Sequence, residues 1–167
     1  AACCRSLGLE VTVLEAGERV MARTTSAVVS HYFEALHRAN GVRIEHGVMV
    51  TGIDRVQSGG LVVETKDEAF ECDWVLIGIG AVANDGLALR AGLKVDNGIE
   101  VDQTTATSAA GIFAAGDCAS FPSGRYGRRL RLESVQNAID QAKAAAHAML
   151  GRADRYDPVP WFWSDQY

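Results

Sequence analysis

The sequence has no apolar run approaching the roughly 18 residues that a membrane span needs, and its first residues carry no secretory signal pattern. The chain is expected to work in the cytoplasm, away from a bilayer. Cysteine is scarce. The four are Cys3, Cys4, Cys72 and Cys118; none forms a CxxC pair, and adjacent Cys3-Cys4 has no metal or redox spacing. They read as small buried thiols in a reducing compartment. No metal site is expected, and His31 and His37 read as solvated. A basic excess is missing as well: the net charge is −5, which argues against nucleic acid as a partner. There is no initiating Met before AACCRSLGLEV and no stopping element after PWFWSDQY, so the chain reads as a piece cut from a longer protein at both ends.

What is present is a globular composition, 48% apolar and 22% charged, rich in Gly and Ala. The stretch Thr107–Ser120, TSAAGIFAAGDCAS, organises the rest. It predicts a short apolar strand, Ile112–Ala115, that stops at Gly116-Asp117. Small residues on both sides let the backbone lie close to another group. A carboxylate past a buried strand end accepts hydrogen bonds from ribityl or polyol hydroxyls. A helix after it would aim its first N–H groups at a phosphate. An ordinary Gly-Asp turn is the plainer alternative.

In chain order, residues 1–7 read as a helix tail capped by Gly8. Glu10–Glu15 is a β-branched strand, buried and parallel. Glu15 falls at its carboxyl end, where a dinucleotide-binding βαβ unit keeps an acid for the adenosine ribose; a solvated strand end is the alternative. Arg19 and Arg23 could reach the same cofactor or lie on the surface. Ser26–Ala39 is an amphipathic helix, with Val29, Tyr32, Phe33 and Leu36 at helical spacing, stopped by Asn40-Gly41. A strand Val42–Glu45 follows. Val48–Val56, Gly60–Thr65 and Ala69–Ile77 predict an antiparallel meander with turns at Ser58-Gly59-Gly60 and Lys66-Asp67-Glu68. Its last strand runs apolar into the core and ends at Gly78-Ile79-Gly80, where two glycines permit close approach to a flat or phosphorylated ligand. One or two helical turns fit Asn84–Ala91, and Gly98–Asp102 is a short strand. Pro122–Arg129 reads as a polar loop. Glu133–Leu150 is the best helix, capped by Gly151. Trp161 and Trp163 share a face if extended; they stack over a cofactor or plug a domain seam.

This order of pieces resembles the pyridine nucleotide–disulfide oxidoreductase superfamily, and within it the NADH-dependent ferredoxin reductases of oxygenase systems. The resemblance rests on VTVLE (Val11–Glu15), GIG (Gly78–Gly80), GIFAAGDCA (Gly111–Ala119), ESVQNAIDQA (Glu133–Ala142) and PWFWSDQY (Pro160–Tyr167). It implies an α/β fold: parts of two Rossmann-like (three-layer ββα) nucleotide-binding domains with an antiparallel β-meander crossover. Residues 1–80 would be the C-terminal part of an NAD-binding domain. Residues 81–160 would be the returning segment of an FAD-binding domain, and 161–167 the start of a linker. Both glycine fingerprints would lie outside the chain.

Position by position, the resemblance places Gly116 and Asp117 at the FAD ribityl or pyrophosphate. It sets the Val135 N–H near the flavin pyrimidine carbonyl and Trp163 beside the isoalloxazine. Glu15, with Arg19 nearby, falls at the NADH ribose, and Gly78 and Gly80 fall at close backbone approaches. Gln136 stands where some relatives carry Pro. The implied activity is hydride transfer from NADH to FAD, then single electrons to a 2Fe–2S ferredoxin. No side chain need act as acid or base, because the cofactor carries the chemistry. An acid at Glu15 disfavours a 2′-phosphate, so NADH is preferred to NADPH. An NADH oxidase or disulfide reductase of the same superfamily, and a nucleotide-binding module without turnover, are the alternatives. The isolated chain is expected neither to retain FAD nor to turn over.

Overall fold

The computed structural model describes residues 1–167 except 58 and 153. Two compact units divide the chain: residues 1–78 with 165–167, and residues 79–164.

In the first unit, helix α1 (Ala2–Ser6) ends as its sequence predicts. Gly8 takes φ +80° and its N–H donates to the Arg5 carbonyl at 2.9 Å, a left-handed cap. Strand β1 (Val11–Glu15) runs parallel to β2 (Val42–His46), with Val11 opposite Val42 and Glu15 opposite His46. Helix α2 (Ala27–Ala39) connects them, with Ser26 at its N-cap, and packs on β2. Val42 and Ile44 are buried beneath it. β1 is half-buried rather than buried. These two strands form a sheet of their own, so β1 has a ladder on one side only.

Strands β3 (Val50–Arg55), β4 (Leu61–Thr65) and β5 (Ala69–Cys72) form the expected antiparallel meander, ordered β3-β4-β5. The Lys66-Asp67-Glu68 turn is held by Thr65, whose Oγ1 accepts the Glu68 N–H at 3.1 Å. Gly59 and Gly60 take φ of +95° and +94°, as a tight glycine turn requires; Ser58 of that expected turn lies outside the described residues. The last strand is shorter than the sequence predicts. It stops at Cys72, opposite Leu61, because β4 begins there and offers nothing further to pair. Trp74, Leu76 and Ile77 therefore stand outside any ladder and are largely exposed rather than entering the core.

The second unit contains α3 (Gly86–Arg90), β6 (Ile99–Glu100), β7 (Ala119–Ser123), β8 (Arg128–Leu130) and α4 (Val135–Met149). β6 pairs parallel with β7, and β7 antiparallel with β8. The core gathers Val101, Ala114, Ala119, Phe121 and Tyr156. Phe121 is 1% exposed and meets Tyr156 edge-to-face at 5.2 Å; burying such a ring stabilises by about 1.5–3 kcal/mol.

Three expectations are corrected here. Ile112–Ala115 is not a strand; one bridge, Phe113 to Ala106, is all that pairs. Strand β7 follows the Gly-Asp turn instead of preceding it, so no helix comes directly after Asp117. Pro122–Arg129 is not a plain loop: most of it belongs to a hairpin, with Pro122 opposite Arg129. Proline argues against a strand because it donates nothing to a ladder, and that masks ASFPS, where four of five residues are buried.

Candidate functional site

In the second unit the site is built on α4. Ser134 caps it: its Oγ accepts the Asn137 N–H at 3.2 Å. Asn137 is buried, donates from Nδ2 to the Leu132 carbonyl at 3.1 Å, and accepts at Oδ1 from the Tyr156 hydroxyl at 2.9 Å. Burial, and secondarily the charge of Asp140, push the Tyr156 phenol up to about 12. The start of the helix is thus locked from the inside.

Gly116 rests on this helix. Its φ is +82°, and a Cβ there would stand 3.5 Å from the Ala138 Cβ, one turn in from Val135. The Gly116 N–H donates to Oε1 of Gln141 at 2.8 Å. The Asp117 carbonyl accepts from Arg131 Nη1 at 2.9 Å, and Arg131 also donates to Asn97 and pairs with Glu133 at 2.7 Å. Gly98 closes the other side: a Cβ there would meet the Cys118 carbonyl at 2.7 Å. The backbone of the turn is fixed while Asp117 itself is exposed. So the structure brings Gly116, Asp117 and the helix begun by Val135 together. Trp163 stacks with Trp161 at 5.1 Å, and both stay more than half exposed.

The arrangement suits a flavin dinucleotide. An exposed carboxylate accepts from ribityl hydroxyls. The first N–H groups of a helix have no intrahelical partner and favour negative charge. Gly116, at φ +82°, holds a turn that an L side chain rarely adopts. Beside it the buried Gln141 Nε2 has no acceptor among the described residues. Sequence reasoning missed Arg131, Gln141 and Tyr156. The spacing of Asn137, Gln141 and Ala145, all buried on α4, was the available signal: two amides on an otherwise small apolar face.

In the first unit the carboxyl ends of β1 and β2 come together, the edge where open α/β sheets bind ligands. Oε1 of Glu15 accepts the Gly17 N–H at 2.8 Å. The Val48 N–H reaches the Glu15 carbonyl at 3.1 Å, and the Gly47 N–H reaches the Gly17 carbonyl at 3.1 Å. Arg19 is turned into its own loop: it donates to Ser30 Oγ and, at 3.1 Å, to the Ala22 carbonyl. Ser30, fully buried, donates to the Val20 carbonyl at 2.6 Å. Arg23 and His31 are exposed, and His37 bonds the Tyr167 hydroxyl at 2.7 Å. Gly78 and Gly80 are exposed, Gly80 with φ +98°. Among the described residues, no group of three His, Cys, Asp or Glu could hold a metal, and no helix is long and apolar enough to cross a membrane.

Residues 1–142 match the family model described as pyridine nucleotide-disulphide oxidoreductase. The rhodocoxin reductase of Rhodococcus erythropolis is 44% identical over 169 residues, covering 100% of this chain and 39% of that protein. A crystal structure of a ferredoxin reductase from Rhodopseudomonas palustris superposes with a TM-score of 0.91 at 44% identity, over 99% of this chain and 41% of that one. The putidaredoxin reductase in its covalent complex with putidaredoxin gives 0.89 at 42% identity, over 95% and 39%. The chain spans about two fifths of the length of the relatives it matches. Its fold class is that of these neighbours, α/β with Rossmann-type elements and an antiparallel sheet.

Proposed function

Since the chain belongs to the pyridine nucleotide-disulphide oxidoreductase family, we propose that it is part of an FAD-dependent NADH:ferredoxin oxidoreductase. The whole protein works in the cytoplasm and delivers electrons to a 2Fe–2S ferredoxin of an oxygenase system. The observation that carries this reading is the Gly116-Asp117 turn seated on α4, with Gly116 packed on the helix and Asp117 exposed next to it. The names of similar proteins support the partner: one solved relative is a reductase joined to putidaredoxin.

Residues 1–80 would complete an NAD-binding domain and residues 81–160 an FAD-binding domain, with 161–167 leading into a linker. Asp117 would hold the ribityl or pyrophosphate region. Val135 would offer its backbone N–H at the flavin pyrimidine edge. Trp163 would lie beside the ring and exclude water from it. Glu15 would take the ribose diol of NADH, with Gly78 and Gly80 allowing close approach, and Arg19 would serve that site by ordering the loop after β1. When bound, FAD accepts a hydride and releases electrons singly.

The test uses the full-length protein loaded with FAD. NADH is expected to bleach the flavin band much faster than NADPH, and the reduced protein to reduce an added ferredoxin. Equal rates with the two nucleotides would remove the role of Glu15. Bleaching followed only by reduction of oxygen or a disulfide would favour the oxidase or disulfide-reductase reading. The isolated 167 residues should purify without flavin colour; a yellow product contradicts that expectation.

A further inference from the structure

We propose that Gln141 and Arg131 are positioning residues that clamp the Gly116-Asp117 backbone from two sides and so aim the Asp117 carboxylate at FAD. The inference rests on the flavoprotein reading above and names how its central carboxylate is held.

Three observations carry it. Gln141 is fully buried on α4 and spends its Oε1 on the Gly116 N–H at 2.8 Å. Its Nε2 has no acceptor among the described residues. A buried amide half of which goes unpaired costs stability relative to an apolar side chain of similar volume, so its one bond marks where it acts. Second, the Arg131 side chain, 9% exposed, donates to the Asp117 carbonyl at 2.9 Å and is itself held by Asn97 and Glu133. Third, the turn is packed on both sides: a Cβ on Gly116 would stand in ordinary contact with Ala138 at 3.5 Å, and one on Gly98 would clash with the Cys118 carbonyl at 2.7 Å.

The N–H before Asp117 and the carbonyl after its Cα are therefore pinned to different parts of the chain. One anchor is on α4 and the other on the segment leading into it. Between them the backbone that carries the Asp117 side chain is held at both ends. Neither anchor needs to touch the cofactor. The clamp acts through the carboxylate rather than through the Gly116 backbone, and coupling to Asp117→Ala separates the two.

The experiment is a double-mutant cycle on FAD affinity in the full-length protein. Apoprotein is titrated with FAD for wild type, Asp117→Ala, Gln141→Leu and the double variant, with visible circular dichroism of the bound flavin and apoprotein melting as parallel readouts. Gln141→Leu should weaken FAD binding about tenfold, as expected for one lost buried hydrogen bond, and alter the flavin dichroism. The double variant should bind no more weakly than Asp117→Ala alone. Should Gln141→Leu not fold, Arg131→Met carries the same cycle from the other anchor. Additive losses in the cycle, or FAD affinity unchanged by either anchor variant, overturn the clamp and leave the flavoprotein reading standing. A wild-type apoprotein that takes up no FAD overturns both.

Discussion

Tyr156 shows how single side chains set the stability of the second unit. Its hydroxyl donates to Asn137 Oδ1 at 2.9 Å and its ring packs on Phe121. Tyr156→Phe keeps the ring and strands a buried acceptor, so it should cost about 1–3 kcal/mol in denaturant unfolding. The phenol also gives this unit an alkaline limit. Its folded value lies at about 12, against 10.0 for a free tyrosine, chiefly because burial disfavours the phenolate. The unfolded chain releases that proton first. The stabilisation is whole below pH 10.0 and is lost as pH rises toward about 12. Wild type should lose stability across that window more steeply than Tyr156→Phe, as chemical denaturation at a series of pH values would show. At the acid end, burial works to raise Asp102, but hydrogen bonds from Thr104 and Ala106 outweigh it and hold the carboxyl below 3.8. Its contribution is present above that value and fades as pH falls through the lower, folded one.

At the scale of elements, helix α4 depends on its cap. Ser134→Ala removes the acceptor for the Asn137 N–H and should lower the unfolding free energy by about 1 kcal/mol. FAD retention in the full-length protein should fall with it, because the same turn begins the helix proposed to face the flavin. Both long helices were legible from spacing: Val29, Tyr32, Phe33 and Leu36 for α2, and Val135, Ala138, Ile139 and Ala142 for α4. So were the two parallel strands and the meander, whose β-branched runs are punctuated by glycine and charge. The strand after Asp117 was not. Small residues and Pro122 hide it, and it is specified by what it packs against, Tyr156 and Val101, rather than by local propensity. Of the site, Gly116 and Asp117 could be picked out through the small residues around them and the family resemblance of GIFAAGDCA, since Gly-Asp alone reads equally as a turn. Arg131 could not, since its partner is a backbone atom 14 residues away; for Gln141 the helical spacing with Asn137 marks a buried face, but its bond to a backbone atom 25 residues away is not in the pattern.

For the whole molecule, the notable quantity is apolar surface outside any core. Trp74, Leu76, Ile79 and Val82 are each at least 87% exposed, and they fall within nine consecutive positions of irregular backbone. Exposed apolar side chains on either unit favour association, and backbone outside any ladder among the described residues offers a template for another strand. The isolated chain should therefore form concentration-dependent oligomers in analytical ultracentrifugation. The double variant Leu76→Lys, Val82→Lys should shift it toward monomer without changing the melting of either unit, because neither side chain contributes to a core.

Gly116 combines a sealed amide with a neighbour open to water. The proton on its nitrogen points into the protein toward Gln141, whereas that of Ile112, four residues earlier in an exposed loop, makes a local turn bond to the Ala109 carbonyl at 3.2 Å. In deuterated buffer these two sites should keep different clocks. The amide at 116 should outlast that at 112 by orders of magnitude, and it should quicken toward the pace of its surroundings once residue 141 can no longer accept it.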